Sequence, residues 1–234
     1  MPTRVLTLVC AFCLVSLGTS LAWEAPTTAA EEPSSFVYHF PHVTADFCGP
    51  FLDRFDDTAP GWYTGSFDGL QAEIIDGEYR LAFAGGGTVW LIPGPVCLRS
   101  SYRAAVDARW AGTTGNFIGL LFGIDDSAKH AYLFAVNTDE RVWLVFEIRN
   151  DGLDLIIPPT GHDAVLPGAS INRLVAERIG DTIVLSVNQT QVGELRDAQP
   201  GAPVLAGVAA AGYTFQSTVD ARFDNFLWQA ESKD

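Results

Sequence analysis

The chain has 234 residues, with 28 Asp and Glu against 14 Lys and Arg and a formal net charge of -14. So acidic a chain repels phosphate backbones, and no basic cluster offsets it, which excludes nucleic acid and anionic membrane as natural partners. The charge suits solubility outside the cytoplasm.

The elements are taken in chain order. Arg4 and the amino terminus form a short positive region, "VLTLVCAFCLVSLG" is an apolar core, and Ser20 and Ala22 sit at the small-residue positions of a cleavage site. Residues 1–22 therefore read as a secretory signal, and the protein as secreted or periplasmic. The apolar run is shorter than the roughly 20 residues of a membrane span, so no membrane insertion is expected after cleavage. Neither Cys10 nor Cys13 follows the small residue that a lipoprotein signal requires. Cleavage leaves Cys48 and Cys97, and an even pair in an exported protein predicts a disulfide. Residues 23–45 are rich in Pro, Ala, Thr, Ser and Glu and read as a flexible linker or arm. His39 and His42 at its end lack the further ligands a metal site needs.

Residues 46–229 have the size of one β domain, with 230–234 as a tail. "AEIIDGEYRLAFAG" has a hairpin pattern around Asp76-Gly77, a pair able to adopt positive φ. "SYRAAVDARW" alternates Tyr102, Val106 and Trp110 against Arg103, Asp107 and Arg109, and "GNFIGLLFGI" is an almost unbroken apolar run that suits a central strand. "HAYLFAV" and "RVWLVFEIR" flank the short connection "NTDE". "INRLVAERI" and "TIVLSVN" flank Gly180-Asp181, and "PVLAGVAAAG" precedes the closing "VDARFDNFLW". That last strand alternates Val219, Ala221 and Phe223 against Asp220, Arg222 and Asp224. Asn225 then breaks the phase before Phe226 and Trp228. No stretch shows capped helical periodicity. Many short strands separated by Gly, Asp and Asn turns predict an all-β, antiparallel two-sheet sandwich, with a closed barrel as the alternative.

"DRFDD", "PGWYTG", "GEYRL", "GLLFGIDD", "YLFAV", "NRLVAERIGDTIVLSVN" and "RFDNF" occur in that order. Over about residues 50–228 the chain resembles the concanavalin A-like lectin/glucanase jelly rolls. It is similar above all to a divergent bacterial branch that includes 3-keto-disaccharide hydrolase-type domains. The resemblance implies a concave and a convex sheet with the terminal strands adjacent. It also implies a structural calcium held by an Asp of the last strand, Asp224, and the first segment, through Asp53, Asp56 or Asp57. The plain alternative is that Asp224 and Asn225 bond backbone amides and tie the chain ends together. No other cofactor is expected.

The superfamily's catalytic signature, Glu-x-Asp-x-Glu along one strand, is absent, as is a Gly-x-Ser-x-Gly elbow. No catalytic residue is assigned. Carbohydrate binding asks for aromatic rings that stack on sugars and polar groups that bond hydroxyls. In "RVWLVFEIR", Arg141, Trp143, Glu147 and Arg149 share one face, and in "HAYLFAV", His130, Tyr132 and Phe134 share one. With "NTDE" as a tight turn that sets Val136 opposite Arg141, Phe134 lies opposite Trp143 and His130 opposite Glu147. Trp143, Tyr132, Phe134, Glu147 and Arg149 would then form a ligand platform. The alternative is that Trp143 packs under a loop or a partner domain. Asn188-Gln189-Thr190 matches a glycosylation sequon at a hairpin turn. The expected role is non-catalytic recognition of a glycan or cell-envelope component. The rival roles are an enzyme acting on a sugar derivative and a protein-interaction or adhesion module.

Overall fold

The computed structural model describes residues 50–56, 61–93, 99–112, 116–125, 129–149, 152–200, 202, 204–212 and 217–230. The predicted signal segment, the predicted arm with His39 and His42, Cys48, Cys97 and Asp57 lie outside these residues. The strands are β1 Phe51–Asp53, β2 Gly65–Phe67, β3 Leu70–Ile75, β4 Glu78–Ala84, β5 Gly87–Leu91, β6 Tyr102–Trp110, β7 Phe117–Ile124 and β8 His130–Asn137. They continue with β9 Val142–Arg149, β10 Gly152–Gly161, β11 Asn172–Ile179, β12 Thr182–Val187, β13 Thr190–Arg196, β14 Leu205–Gly212 and β15 Thr218–Ala230. Among the described residues there is no helix, and so none long and apolar enough to cross a membrane.

All described pairings between strands are antiparallel, in two sheets. The first runs β13-β12-β11-β6-β15-β4-β3-β2, with β1 also on β15; the second runs β10-β9-β8-β7-β14-β5. The predicted sandwich is therefore what the chain forms. The first strand does lie against the last, with Asp53 paired to Phe226.

Local chemistry explains the turns. Asp76 and Gly77 both take positive φ (56° and 75°), closing the β3–β4 hairpin with the backbone twist such turns need. Asn188 and Gln189 do the same (49° and 69°) between β12 and β13. The Asn188 side chain is consumed there. Its oxygen accepts from the Arg173 N–H (2.8 Å), and its amide donates to the Ala164 carbonyl (2.8 Å) and to Asn172 (3.0 Å). The sequon is thus a structural turn.

The phase break in the last strand is a β-bulge. Pairing with β6 runs to Asp224↔Asp107 and resumes at Leu227↔Ala105, three residues against two. Asn225, at φ 50°, is the residue that makes the step. Val219, Ala221 and Phe223 are buried before the bulge, and Phe226 and Trp228 are buried after it. The extra residue keeps the apolar set on the core side of a strand too long to stay in register otherwise.

The core between the sheets is dominated by aromatics. Phe55, Trp62, Tyr79 and Phe226 form one group, with ring centroids 5.0–5.4 Å apart. Phe122 stacks on Tyr132 and Tyr102 meets Trp228. Each such ring removes a large apolar area from water, worth about 2–3 kcal/mol when complete. In the second sheet every residue of β8 is buried, on both faces.

Candidate functional site

The predicted platform lies inside the molecule. The β8–β9 pairing sets Val136 against Trp143, Phe134 against Val145, Tyr132 against Glu147 and His130 against Arg149. This is two residues off the tight-turn register. The Asn137 carboxamide accepts from the Asp139 and Glu140 N–H groups, and Arg141 takes φ 52°, so four residues make the turn. An even slip preserves the face, so Tyr132, Phe134, Trp143, Glu147 and Arg149 do share one, but it points at the first sheet. Trp143 is 4 % exposed and edge-on to Phe134, and a methyl built on Gly193 of β13 would lie 2.3 Å from its Cη2. Tyr132 and Phe134 are equally enclosed, and the Tyr132 hydroxyl accepts from the Ala198 N–H. These rings have no face to offer a ligand. Glu147 is buried too, held by His130 (2.9 Å) and by the half-exposed Arg149 (2.6 Å).

The candidate calcium ligands are not assembled either. Both Asp224 oxygens accept from Asn225, one from its N–H (2.6 Å) and one from its amide (3.0 Å). One Asp53 oxygen accepts from the Phe55 N–H (2.8 Å), while the other is buried without a hydrogen-bond partner. Among the described residues no three carboxylate, His or Cys side chains converge to hold a metal ion. Six to eight oxygens are wanted, and the described donors fall short of that fit. Burial holds both carboxyls above the usual Asp range, and nearby carboxylates push the same way.

A candidate site lies on the outer face of the first sheet, where sequence reading saw only a polar face. A groove of about 590 Å³ is lined by Arg103, Asp107, Arg173, Val175, Glu177, Val184, Ser186 and Gln189. Strand register orders these residues into three rows. Asp107 faces Arg173, Ala105 faces Val175 and Ser186, and Arg103 faces Glu177 and Val184. The outer rows are ion pairs, Asp107–Arg173 at 3.2 Å and Arg103–Glu177 at 2.5 Å. The middle row is low: Ala105 and Val175 are buried, and Ser186 is small and half-buried. Four residues of extended strand set the two pairs ~13 Å apart.

The bulge supports one end of this groove. The Asn225 amide donates to Asp107 (2.9 Å), and Arg173 donates to the Asn225 carbonyl (2.7 Å). Asp107 and Arg173 are therefore fixed from a third strand, β15, before any ligand arrives. The only sequence signal was the positional pairing of Arg103 and Asp107 on one strand with Arg173 and Glu177 on another, which needs the register to be read.

A second depression, of about 510 Å³, is lined by Glu140, Arg141, Gly161, His162 and Asp163. Its polar groups largely hold its own loop. Arg141 donates to the Val165 and Asp163 carbonyls, and His162 Nδ1 accepts from the Ala164 N–H. It has no apolar floor.

No protein-family model matches the chain, and no curated protein does. Solved structures do. A carbohydrate binding module, CBM66 from Bacillus subtilis, superposes with a TM-score of 0.53 at 16% identity over 81% of this chain and 100% of that one. A β-1,3-1,4-glucanase (lichenase) from a mouse hindgut metagenome gives 0.54 at 14% identity over 78% of this chain and 100% of that one. The Crh5 transglycosylase in complex with NAG gives 0.58 at 11% identity over 79% and 85%. Identities this low speak to architecture alone. Two antiparallel sheets, adjacent terminal strands and these superpositions give the chain the same jelly-roll sandwich fold as these structures, the fold its sequence resemblance implies.

Proposed function

We propose that this chain is an exported, non-catalytic module that recognises a glycan of the cell envelope or surroundings, and that the groove on the outer face of the first sheet is its binding site. The observation that carries this is a groove bracketed by two guanidinium–carboxylate pairs, with Ser186 and Gln189 among its polar lining. Sugars present a rim of hydroxyls, and such a groove answers it: Arg, Asp, Glu, Ser and Gln bond the rim, with half-buried Val184 at one end as an apolar contact. A span of ~13 Å accommodates about two linked rings.

The two carboxylates that line the groove are too far apart to act as a glycosidase pair across it. Asp107 and Glu177 stand at diagonal corners, ~14 Å apart from backbone spacing. Paired glycosidase carboxylates lie roughly 5–9.5 Å apart.

A glycan-array screen followed by calorimetry tests the reading. Arg173→Ala should weaken the selected saccharide at least tenfold while the protein still melts cooperatively. Equal affinity for the wild type and the variant would remove the groove from consideration.

A further inference from the structure

We infer that the groove selects uncharged saccharides and discriminates against carboxylated ones such as uronates; this rests on the proposed glycan-binding role. The four charged side chains of the groove neutralise one another in two pairs, so its formal charge is zero. Each guanidinium is already matched by a carboxylate, so the groove holds no surplus positive charge for a ligand carboxylate. Arg173 is committed twice, to Asp107 and to the Asn225 carbonyl. An anionic sugar would meet Asp107 or Glu177 beside whichever guanidinium it approached. It would do so on a protein of net charge -14. Asp224 stands opposite Asp107 in the strand register, adding a further acidic group at that end. Like charges set together at a binding surface are a source of specificity through rejection. A neutral sugar meets none of this. Its hydroxyls can accept from a guanidinium and donate to a carboxylate within the same ion pair, leaving the pair intact.

The neighbouring surface continues the pattern. Arg109 pairs with Glu78, and Arg80 pairs with Glu73 and Asp220. A longer acidic polysaccharide running off the groove across β6 and β15 would find each of these cations matched as well.

The test is calorimetry on the full mature protein with four neutral disaccharides (maltose, cellobiose, lactose and N,N′-diacetylchitobiose) and with digalacturonate, each at about 50 and 500 mM salt. Two variants accompany it. Arg173→Gln removes one ion pair, and Ser186→Tyr fills the groove from a half-exposed position without touching the charges. The expected result is that at least one neutral sugar binds, that digalacturonate binds at least tenfold more weakly, and that the neutral affinity changes less than twofold with salt. Ser186→Tyr should abolish that binding even if Arg173→Gln misfolds. Digalacturonate binding as tightly as any neutral sugar, and lost in Ser186→Tyr, would overturn the selectivity and leave the glycan-binding role standing. Binding of no sugar, or binding indifferent to Ser186→Tyr, would overturn the role of the groove itself.

Discussion

Asp224 carries a cost when it ionises. Burial raises its carboxyl above the ordinary range, the Asn225 N–H pulls it back, and Asp107, Glu78 and Asp56 push it up again. The native state therefore holds the proton more tightly than the unfolded chain does. As pH falls through the folded value towards the ordinary Asp range, the native state gains stability from this residue, and at neutral pH the charge works against the fold. Asp224→Asn sheds the charge and keeps an acceptor for the Asn225 N–H. It should raise the melting temperature at pH 7, by an amount that shrinks on acidification. Asp224→Ala removes the acceptor, and an unmet N–H at the bulge should cost about 1–3 kcal/mol. Because both Asp224 oxygens are engaged by Asn225, EDTA should leave the wild-type melt unchanged. A fall in melting temperature with EDTA, absent in Asp224→Ala, would instead reveal a structural calcium.

At the scale of elements, Arg80 joins three strands. From β4 it reaches Glu73 on β3 (2.7 Å) and Asp220 on β15 through two nitrogens (2.7 and 3.0 Å). Burial alone would raise the Asp220 carboxyl, but the hydrogen bonds and charge of Arg80, with help from Arg222, outweigh it and hold Asp220 below its usual range. The sign is the reverse of Asp224. This stabilisation is fully present above the ordinary Asp value and is lost as pH falls through the lower, folded one. Arg80→Met should cost about 1–2 kcal/mol at pH 7, since a forked, half-buried pair exceeds the ordinary surface bridge. Urea melts from pH 7 down to about pH 2 should show the wild type and variant converging only below about pH 4. Hairpins were the legible elements because their turns have distinctive chemistry: Asp76-Gly77 and Gly180-Asp181 both fall at the predicted joins. The hairpin turn at Asn188-Gln189 implies a strand after it, but "TQVGELR" has almost no apolar alternation to mark one. β5 is short. A turn at "NDG" announces the strand "LDLII", and β10 runs on past it through Pro158-Pro159, which an edge strand tolerates because its outer N–H positions need no partner.

On the scale of the whole molecule, alternation along a strand tells which residues share a face and not which way that face looks. In β9 the fully apolar set, Val142, Leu144, Phe146 and Ile148, looked like the core side, and the mixed set with Trp143 and Glu147 looked like the outer one. The second sheet buries residues on both faces, so polarity gives no direction. Glu147 can face inward because His130 and Arg149 satisfy it at the end of the sandwich. The outer groove was hidden for the opposite reason: its four charges lie on two strands, and only the β6–β11 register brings them into rows. The inward direction of Trp143 has a direct test in the contact between sheets. Its ring occupies the space a side chain would take at Gly193, so Gly193→Ala should be destabilising through overpacking, by about 1–3 kcal/mol. Trp143→Ala should cost about 3–5 kcal/mol by leaving a cavity between the sheets. The pair should be coupled. Trp143→Phe gives up the outer ring, whose atoms crowd Gly193, and in that background Gly193→Ala should cost less than in the wild type, by at least about 0.5 kcal/mol in a double-mutant cycle. Additive effects, or a Trp143→Ala protein as stable as the wild type, would mean that the ring does not bridge the sheets. A solvent-facing Trp143 would then again be available to stack on a sugar.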